Sequence, residues 1–205
     1  MVKCLVRSLN QTEIKGVKGP VKRPSIFSLL RLGVLAAIII STGAAQAQDF
    51  ESKKIVPFVP TPQEVVDKMI ELAGVKKGDM VYDLGSGDGR IVITAAKKGA
   101  RAVGFDIDGD LVKESRENIR KAGVQDSAEI RQQDFLTVDL SPASVITMYL
   151  LPDVNLMLRP KLLSQLKPGS RVVSHAFDMG DWKPDKTERF NGRTIYLWII
   201  PAQGR

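Results

Sequence analysis

The chain has 205 residues but only one cysteine, Cys4, and one histidine, His175. A lone thiol closes no internal disulfide. If the first 47 residues are removed as a leader, no cysteine remains, which excludes a catalytic thiol and a cysteine-ligated metal. One histidine without cysteine leaves no ligand set for a transition metal, so none is expected. No Gly-Lys-Ser/Thr follows the glycine-rich loop at residues 85–89, which excludes a phosphate-binding P-loop. Internal repeats and low-complexity tracts are also missing. The longest apolar run, LGVLAAIII at residues 32–40, falls short of the roughly 20 residues of a membrane span, and Arg31 interrupts it at its start.

The body of the chain also lacks strong charge. The formal net charge is +7. Residues 1–47 hold seven basic residues and the single acid Glu13, so they account for +6 and leave +1 for the remainder. The basicity therefore carries no footprint for nucleic acid, and no nucleic-acid partner is expected. Basic residues, a short apolar run and Ala45-Gln46-Ala47 fit a cleaved secretory signal. The expectation is export to the bacterial cell envelope (periplasm), or else anchoring to a membrane by an uncleaved segment. Residues 48–60, with Pro57 and Pro60 near their end and Pro62 just beyond, read as an extended linker to a domain over 61–205.

Within that domain, Thr61 is expected to cap a helix with Pro62 at its first position and apolar residues at 65, 66, 69, 70 and 72. Strands are then predicted at 80–84, 102–105, 128–132, 145–151 and 171–177. Helices are predicted at 90–98, 111–122 and 154–166, the last split or kinked at Pro160. Strands at 187–190 and 194–200 flank Asn191-Gly192, a hairpin signal. The alternation implies an α/β fold: a Rossmann-like, doubly wound, mostly parallel seven-stranded sheet with an antiparallel C-terminal hairpin.

The chemistry concentrates in VYDLGSGDGRIVITAA, residues 81–96. Gly85, Ser86, Gly87 and Gly89 form a loop between strand and helix, spaced G-x-G-x-G and not G-x-G-x-x-G as in a dinucleotide fingerprint. Asp83 precedes the loop by two residues. Beside a pyrophosphate it would be repelled by roughly 4 kcal/mol at about 4 Å in a partly buried site. The same carboxylate attracts a cationic ligand, such as the sulfonium and ammonium of S-adenosylmethionine. Asp106 ends the second strand, where a carboxylate bonds ribose hydroxyls. Asp134, after the third strand, could accept from an adenine amine with Phe135 against the ring. Each also has a plainer reading, as a helix cap or a turn residue.

DLGSGDGR, GFDID, QQDF and the closing hairpin resemble the class I (seven-strand) S-adenosylmethionine-dependent methyltransferases over roughly residues 59–200. VPTPQEVVDKM, DLGSGDGRIV and RVVSHAFDMGDWKP are similar to a narrower group of small enzymes that includes mitochondrial protein-lysine methyltransferases. The resemblance implies methyl transfer to an amine, with a protein lysine as the candidate acceptor. Many amine-methylating relatives carry Asn/Asp-Pro-Pro-aromatic after the fourth strand. This chain has Tyr149-Leu150-Leu151-Pro152 there, so the Tyr149 hydroxyl or backbone carbonyls near Pro152 would orient the acceptor. His175, ending the fifth strand, is either a general base or a hydrogen-bonded strand-end residue, and the second is expected. Asp178, Asp181 and Trp182 form either a substrate-side lip or a solvated turn. The alternative in function is an exported or membrane-tethered S-adenosylmethionine-binding module without activity.

Overall fold

Short apolar strands alternating with helices dictate the architecture, which a computed structural model describes for residues 58–202. Helix α1 (Gln63–Leu72) leads into β1 (Met80–Leu84), α2 (Arg90–Lys97), β2 (Arg101–Asp106), α3 (Gly109–Ala122) and β3 (Ala128–Gln132). A 3-10 turn (Phe135–Thr137) precedes β4 (Val145–Met148), α4 (Pro152–Gln165), β5 (Arg171–His175), β6 (Lys186–Phe190) and β7 (Arg193–Ile199). The strands form one sheet in the order β3-β2-β1-β4-β5-β7-β6. The first five are parallel, and β7 enters antiparallel between β5 and β6. The order reverses at β1 and β4, and a doubly wound sheet opens its ligand crevice at such a point.

Period-two alternation along the strands gives the sheet two apolar faces. On one, Val81, Ala102, Ile130, Val145 and Val173 meet Val66, Met69 and Ile70 of α1, Val92 and Ala95 of α2, and Ile119 of α3. On the other, Val103, Ile146, Met148, Val172 and Trp198 meet Leu158 and Leu162 of α4. β4 is buried along its whole length, as its unbroken apolar run predicts.

Several expected boundaries shift for local reasons. Thr61 caps nothing: Pro62 is the N-cap of α1, with no side-chain cap, and the Thr61 hydroxyl turns instead to His175. α3 starts two residues early because Asp108 caps it, accepting from Asp110 N and Leu111 N. Strand β4 stops at Met148, and Tyr149 and Leu150 turn away to line a cavity. α4 then begins at Pro152, where the fixed φ of proline suits a first helical residue. Pro160 neither splits nor ends that helix, which continues to Gln165. The buried side chains of Leu158 and Leu162 on either side of it hold the helix to the sheet and outweigh one missing N–H. β5 stops at His175 because Ala176 takes φ +67°, outside the extended region.

At the edge opposite the crevice, Asp79 ties three strands together. It accepts from Lys76 N at 3.0 Å, from Ser144 Oγ at 2.8 Å just before β4, and from Arg171 at the start of β5. The expected signal segment and cleavage site lie outside the described residues. Among the described residues no helix is long and apolar enough to cross a membrane. Burial works to raise the Asp79 pKa, but the three hydrogen bonds and the Arg171 charge outweigh it and hold the carboxyl below its usual range. A depressed folded-state pKa gives stability that is present above the unfolded value and lost as acid protonates the group. Asp79→Asn is therefore expected to lower unfolding free energy by about 2 kcal/mol at neutral pH, and the deficit should shrink as pH falls below the ordinary aspartate value; urea titrations at about pH 7 and about pH 2.5 check both.

Candidate active site

The C-terminal edge of the sheet holds a cavity of about 390 Å3. Its floor comes from the glycine loop and the ends of β1 and β2, one side from Asp134 and Phe135, another from Tyr149 and Leu150, and a wall from Phe58, Val59, Pro60 and Thr61. Among the described residues five carboxylates line it, those of Asp83, Asp88, Asp106, Asp108 and Asp134, against one cation, Arg90. Arg90 is already engaged, with Asp88 at 3.0 and 2.5 Å and with the Thr61 carbonyl at 2.7 Å. The cavity is therefore an electrostatic trap for positive charge.

Asp83 is the most constrained of these groups. It is 1% exposed. One oxygen accepts from Thr147 Oγ1 at 2.7 Å, and the other has no partner among the described residues. Burial pushes its pKa up to about 7; the Thr147 bond opposes this, and the charges of Asp106 and Asp88 add to it. It caps no helix, since α2 opens on Gly89 without a side-chain cap. Asp106 accepts from Gly87 N at 2.8 Å and from Asp108 N at 3.0 Å, so it holds the glycine loop as well as facing the cavity. Burial raises its pKa first, and the hydrogen bonds pull the other way. Asp134 accepts from Leu136 N at 2.9 Å and so keeps its turn role while lining the cavity.

The loop can sit this close because its glycines carry no side chain. A Cβ on Gly87 would lie 2.3 Å from the Phe58 ring, and one on Gly85 would lie 2.9 Å from Leu150 Cδ2. Both residues also take positive φ. Gly85 N and Ser86 N donate to the Phe105 carbonyl at 2.9 and 3.0 Å, which anchors the loop on β2. Ser86 Oγ is buried without a partner among the described residues. Gly89 reaches α3, where a Cβ would lie 3.0 Å from Ser115 Cβ.

The second part of the site is aromatic. Tyr149 lies on His175, ring centroids 4.1 Å apart at 38°, and stacks with Phe177 at 6.3 Å. His175 is 0% exposed, does not line the cavity, and is held neutral, with a pKa lowered to about 4 by burial and by the charge of Arg193. A base that weak cannot take a proton from an amine, so the strand-end reading is the one the structure supports. Pro152 is the first residue of α4 and is not among the lining residues. Of the two readings of residues 178–182, the structure favours the turn over the substrate-side lip. Asp181 is taken by Arg159, Asp178 accepts from Gly180 N, and neither lines the cavity. Trp182 packs on Trp198.

Sequence reasoning missed Thr147, Asp88, Asp108, Arg90 and Gly104. A Cβ on Gly104 would stand 2.6 Å from Ser86 Cβ, so β2 leaves room for the loop at the point where it crosses. The signal was present as a glycine inside a strand pattern, which marks a close backbone approach.

The family described as the ANTKMT methyltransferase domain matches residues 83–186. A protein-lysine N-methyltransferase of Saccharolobus islandicus (strain REY15A) is 50% identical over 151 residues, covering 71% of this chain and 94% of that protein. The adenine nucleotide translocase lysine N-methyltransferase of Mus musculus is 36% identical over 130 residues, covering 63% of this chain but only 56% of that protein. Among solved structures, an RNA methyltransferase from Salinibacter ruber in complex with S-adenosyl-L-homocysteine is 57% identical with a TM-score of 0.70, covering 72% of this chain and 97% of that one.

The residues present fit S-adenosylmethionine. The unpaired oxygen of Asp83 and the surrounding carboxylates suit its positive charges, and the bare glycine loop admits it to close range. A titration follows from Asp83. Below its pKa of about 7 the group carries a proton and attracts no cation; above it the carboxylate is charged. Affinity for S-adenosylmethionine is expected to weaken as pH falls from 7 to 5.5, by up to about tenfold per unit, with proton release on binding. Calorimetry in two buffers of different ionisation enthalpy checks this, and Asp83→Asn should flatten the dependence.

Proposed function

The chain belongs to the ANTKMT methyltransferase-domain family and is an S-adenosylmethionine-dependent methyltransferase, and from that premise we propose that its acceptor is the amine of a protein lysine. The observation that carries this reading is the sign of the cavity: with the Arg90–Asp88 pair set aside, four lining carboxylates face no free lining cation among the described residues, which favours a cationic donor and draws a lysine to the mouth, where it gives up its proton to solvent before transfer. The names of the Saccharolobus and mouse relatives support it. An inert binding module, the other class left open by the sequence, is not favoured, because these relatives are named as enzymes and the glycine loop is intact.

When bound, S-adenosylmethionine supplies a methyl group already activated on a sulfonium. The chain's own residues then have two tasks. Asp83, Asp106, Asp134 and the loop of Gly85, Ser86, Gly87 and Gly89 hold and orient the donor in this proposal. The mouth must admit a long, thin side chain and favour its neutral form. Phe58 and Val59, about half exposed at 47% and 55%, give that entrance an apolar wall with Leu150 opposite. An apolar surround disfavours the ammonium and so helps the lysine lose its proton. Tyr149 supplies a hydroxyl beside the cavity to aim the nitrogen, and Pro152 fixes the turn that follows it. Placement of donor and acceptor in line is the main source of rate.

A second reading has an RNA base as acceptor, since the Salinibacter relative is described as an RNA methyltransferase. The lining charge weighs against it: RNA phosphates near the mouth would face carboxylates, with no free lining cation among the described residues to receive them. For location, the proposal keeps residues 1–47 as a cleaved leader, so N-terminal sequencing of the native protein should read from Gln48; a chain still starting at Met1 would rule cleavage out.

The acceptor is tested with the full chain, isotope-labelled methyl donor, and parallel protein and RNA extracts, mapping label by mass spectrometry. Label on lysine is expected, whereas label in RNA alone would sink the proposal. Tyr149→Phe keeps the ring and removes the hydroxyl. It should lower turnover roughly tenfold, about 1.4 kcal/mol of transition-state stabilisation, while donor affinity stays unchanged. Equal turnover by the variant would remove Tyr149 from the mechanism.

A further inference from the structure

Thr61 ends the cavity wall and is held from both sides. Its carbonyl accepts from Arg90 Nη1 at 2.7 Å, and its hydroxyl lies 3.1 Å from His175 Nδ1. Arg90 in turn is paired with Asp88 beside the glycine loop, and His175 carries the ring of Tyr149 at 4.1 Å. One buried residue, 4% exposed, therefore joins the wall, the donor loop and the aromatic platform.

The platform is built against local stability. His175 Nε2 is buried with no partner among the described residues, and an unpaired polar atom in the interior destabilises relative to an apolar ring of similar size. The next residue, Ala176, sits at φ +67°, a conformation a side chain normally avoids. The Phe177 amide donates back to the His175 carbonyl at 2.9 Å, and Asn155 donates to Ser174 Oγ, Phe177 O and Asp178 O, so the strained turn is clamped from beneath by α4. Features that cost stability and persist under such clamping are found where geometry has a use.

We propose that Thr61 and His175 are positioning residues for methyl transfer: their hydrogen bond sets the plane of the Tyr149 ring relative to the donor loop, with Thr61 as the pin shared by all three parts. His175 neither touches the cavity nor moves a proton in this role. The inference rests on the lysine reading only through the task given to Tyr149.

The test uses the full chain with Thr61→Val, Thr61→Ser, His175→Phe and the Thr61→Val/His175→Phe pair, assayed below the melting temperature on polylysine. Thr61→Val and His175→Phe should each lower kcat by about tenfold, with KM and the donor Kd changed by less than about twofold. Thr61→Ser keeps the hydroxyl and should restore most of the rate. The double variant should be no slower than the slower single one, because both break one connection. Hydrogen exchange at residues 58–61 should rise in both single variants. Unchanged kcat in Thr61→Val, no rescue by Thr61→Ser, or losses that multiply in the pair would each overturn the proposal. Should His175→Phe fail to fold, the Thr61 variants decide alone. If the unsubstituted protein methylates no lysine, the acceptor reading falls and exchange at residues 58–61 becomes the judge, with unchanged protection in Thr61→Val refuting the pin.

Discussion

A carboxylate buried at the base of an open cavity governs this molecule's chemistry. Asp83 stands at the end of β1, in the middle of a seven-stranded sheet with parallel neighbours on both sides. Its burial follows from that position, and Thr147 on the adjacent strand satisfies only one of its oxygens. Asp106 and Asp88 lie close enough to disfavour its charge further. Such a group needs either a proton or a cation. The glycine loop lets a ligand come close, and the surrounding carboxylates select its sign. In the proposed site, donor binding and protonation are thus alternatives at Asp83.

The cavity is then divided between two tasks that the sheet topology keeps apart. The ends of β1 and β2 line it with carboxylates and backbone, the side proposed for the donor. The segment after β4 lines it with an aromatic ring and apolar surface, the side proposed for the acceptor. The chain before α1 closes over both, so that Phe58 covers Gly87 while Thr61 reaches back to β5. A stretch that reads as linker up to Pro60 therefore contributes cavity wall.

Much of this was legible before any coordinates. The alternation of apolar strands and helices, the Asn191-Gly192 hairpin and the unbroken apolar fourth strand specify the class of sheet, because they are local patterns with one stable way to bury their faces. Glycine spacing together with Asp83 specifies a loop for a cationic ligand, because close backbone approach and charge are properties of residue type. Asp106 and Asp134 were placed at the cavity for the same reason: each sits where a strand ends, and in a parallel sheet those ends converge on one edge.

What remained hidden depends on pairs distant in sequence. Thr61 read as a helix cap, since Pro62 follows it; only folding brings His175, 114 residues away, within reach of its hydroxyl. Pro160 read as a split or a kink, and the helix runs through it unsplit, since local propensity cannot weigh the buried leucines that hold α4 to the sheet. Asp181 read as part of a substrate-side lip or of a solvated turn, and only folding pairs it with Arg159 of α4. For His175 the strand-end role was the expected one, and its enclosure, which keeps it neutral, agrees with that reading. The sequence by itself determined the fold class, the glycine loop at the cavity and the class of cofactor, because these rest on local pattern and residue chemistry. Tertiary structure alone decided which polar side chains are free for chemistry and which are spent on one another, because desolvation and partner choice exist only once distant segments meet.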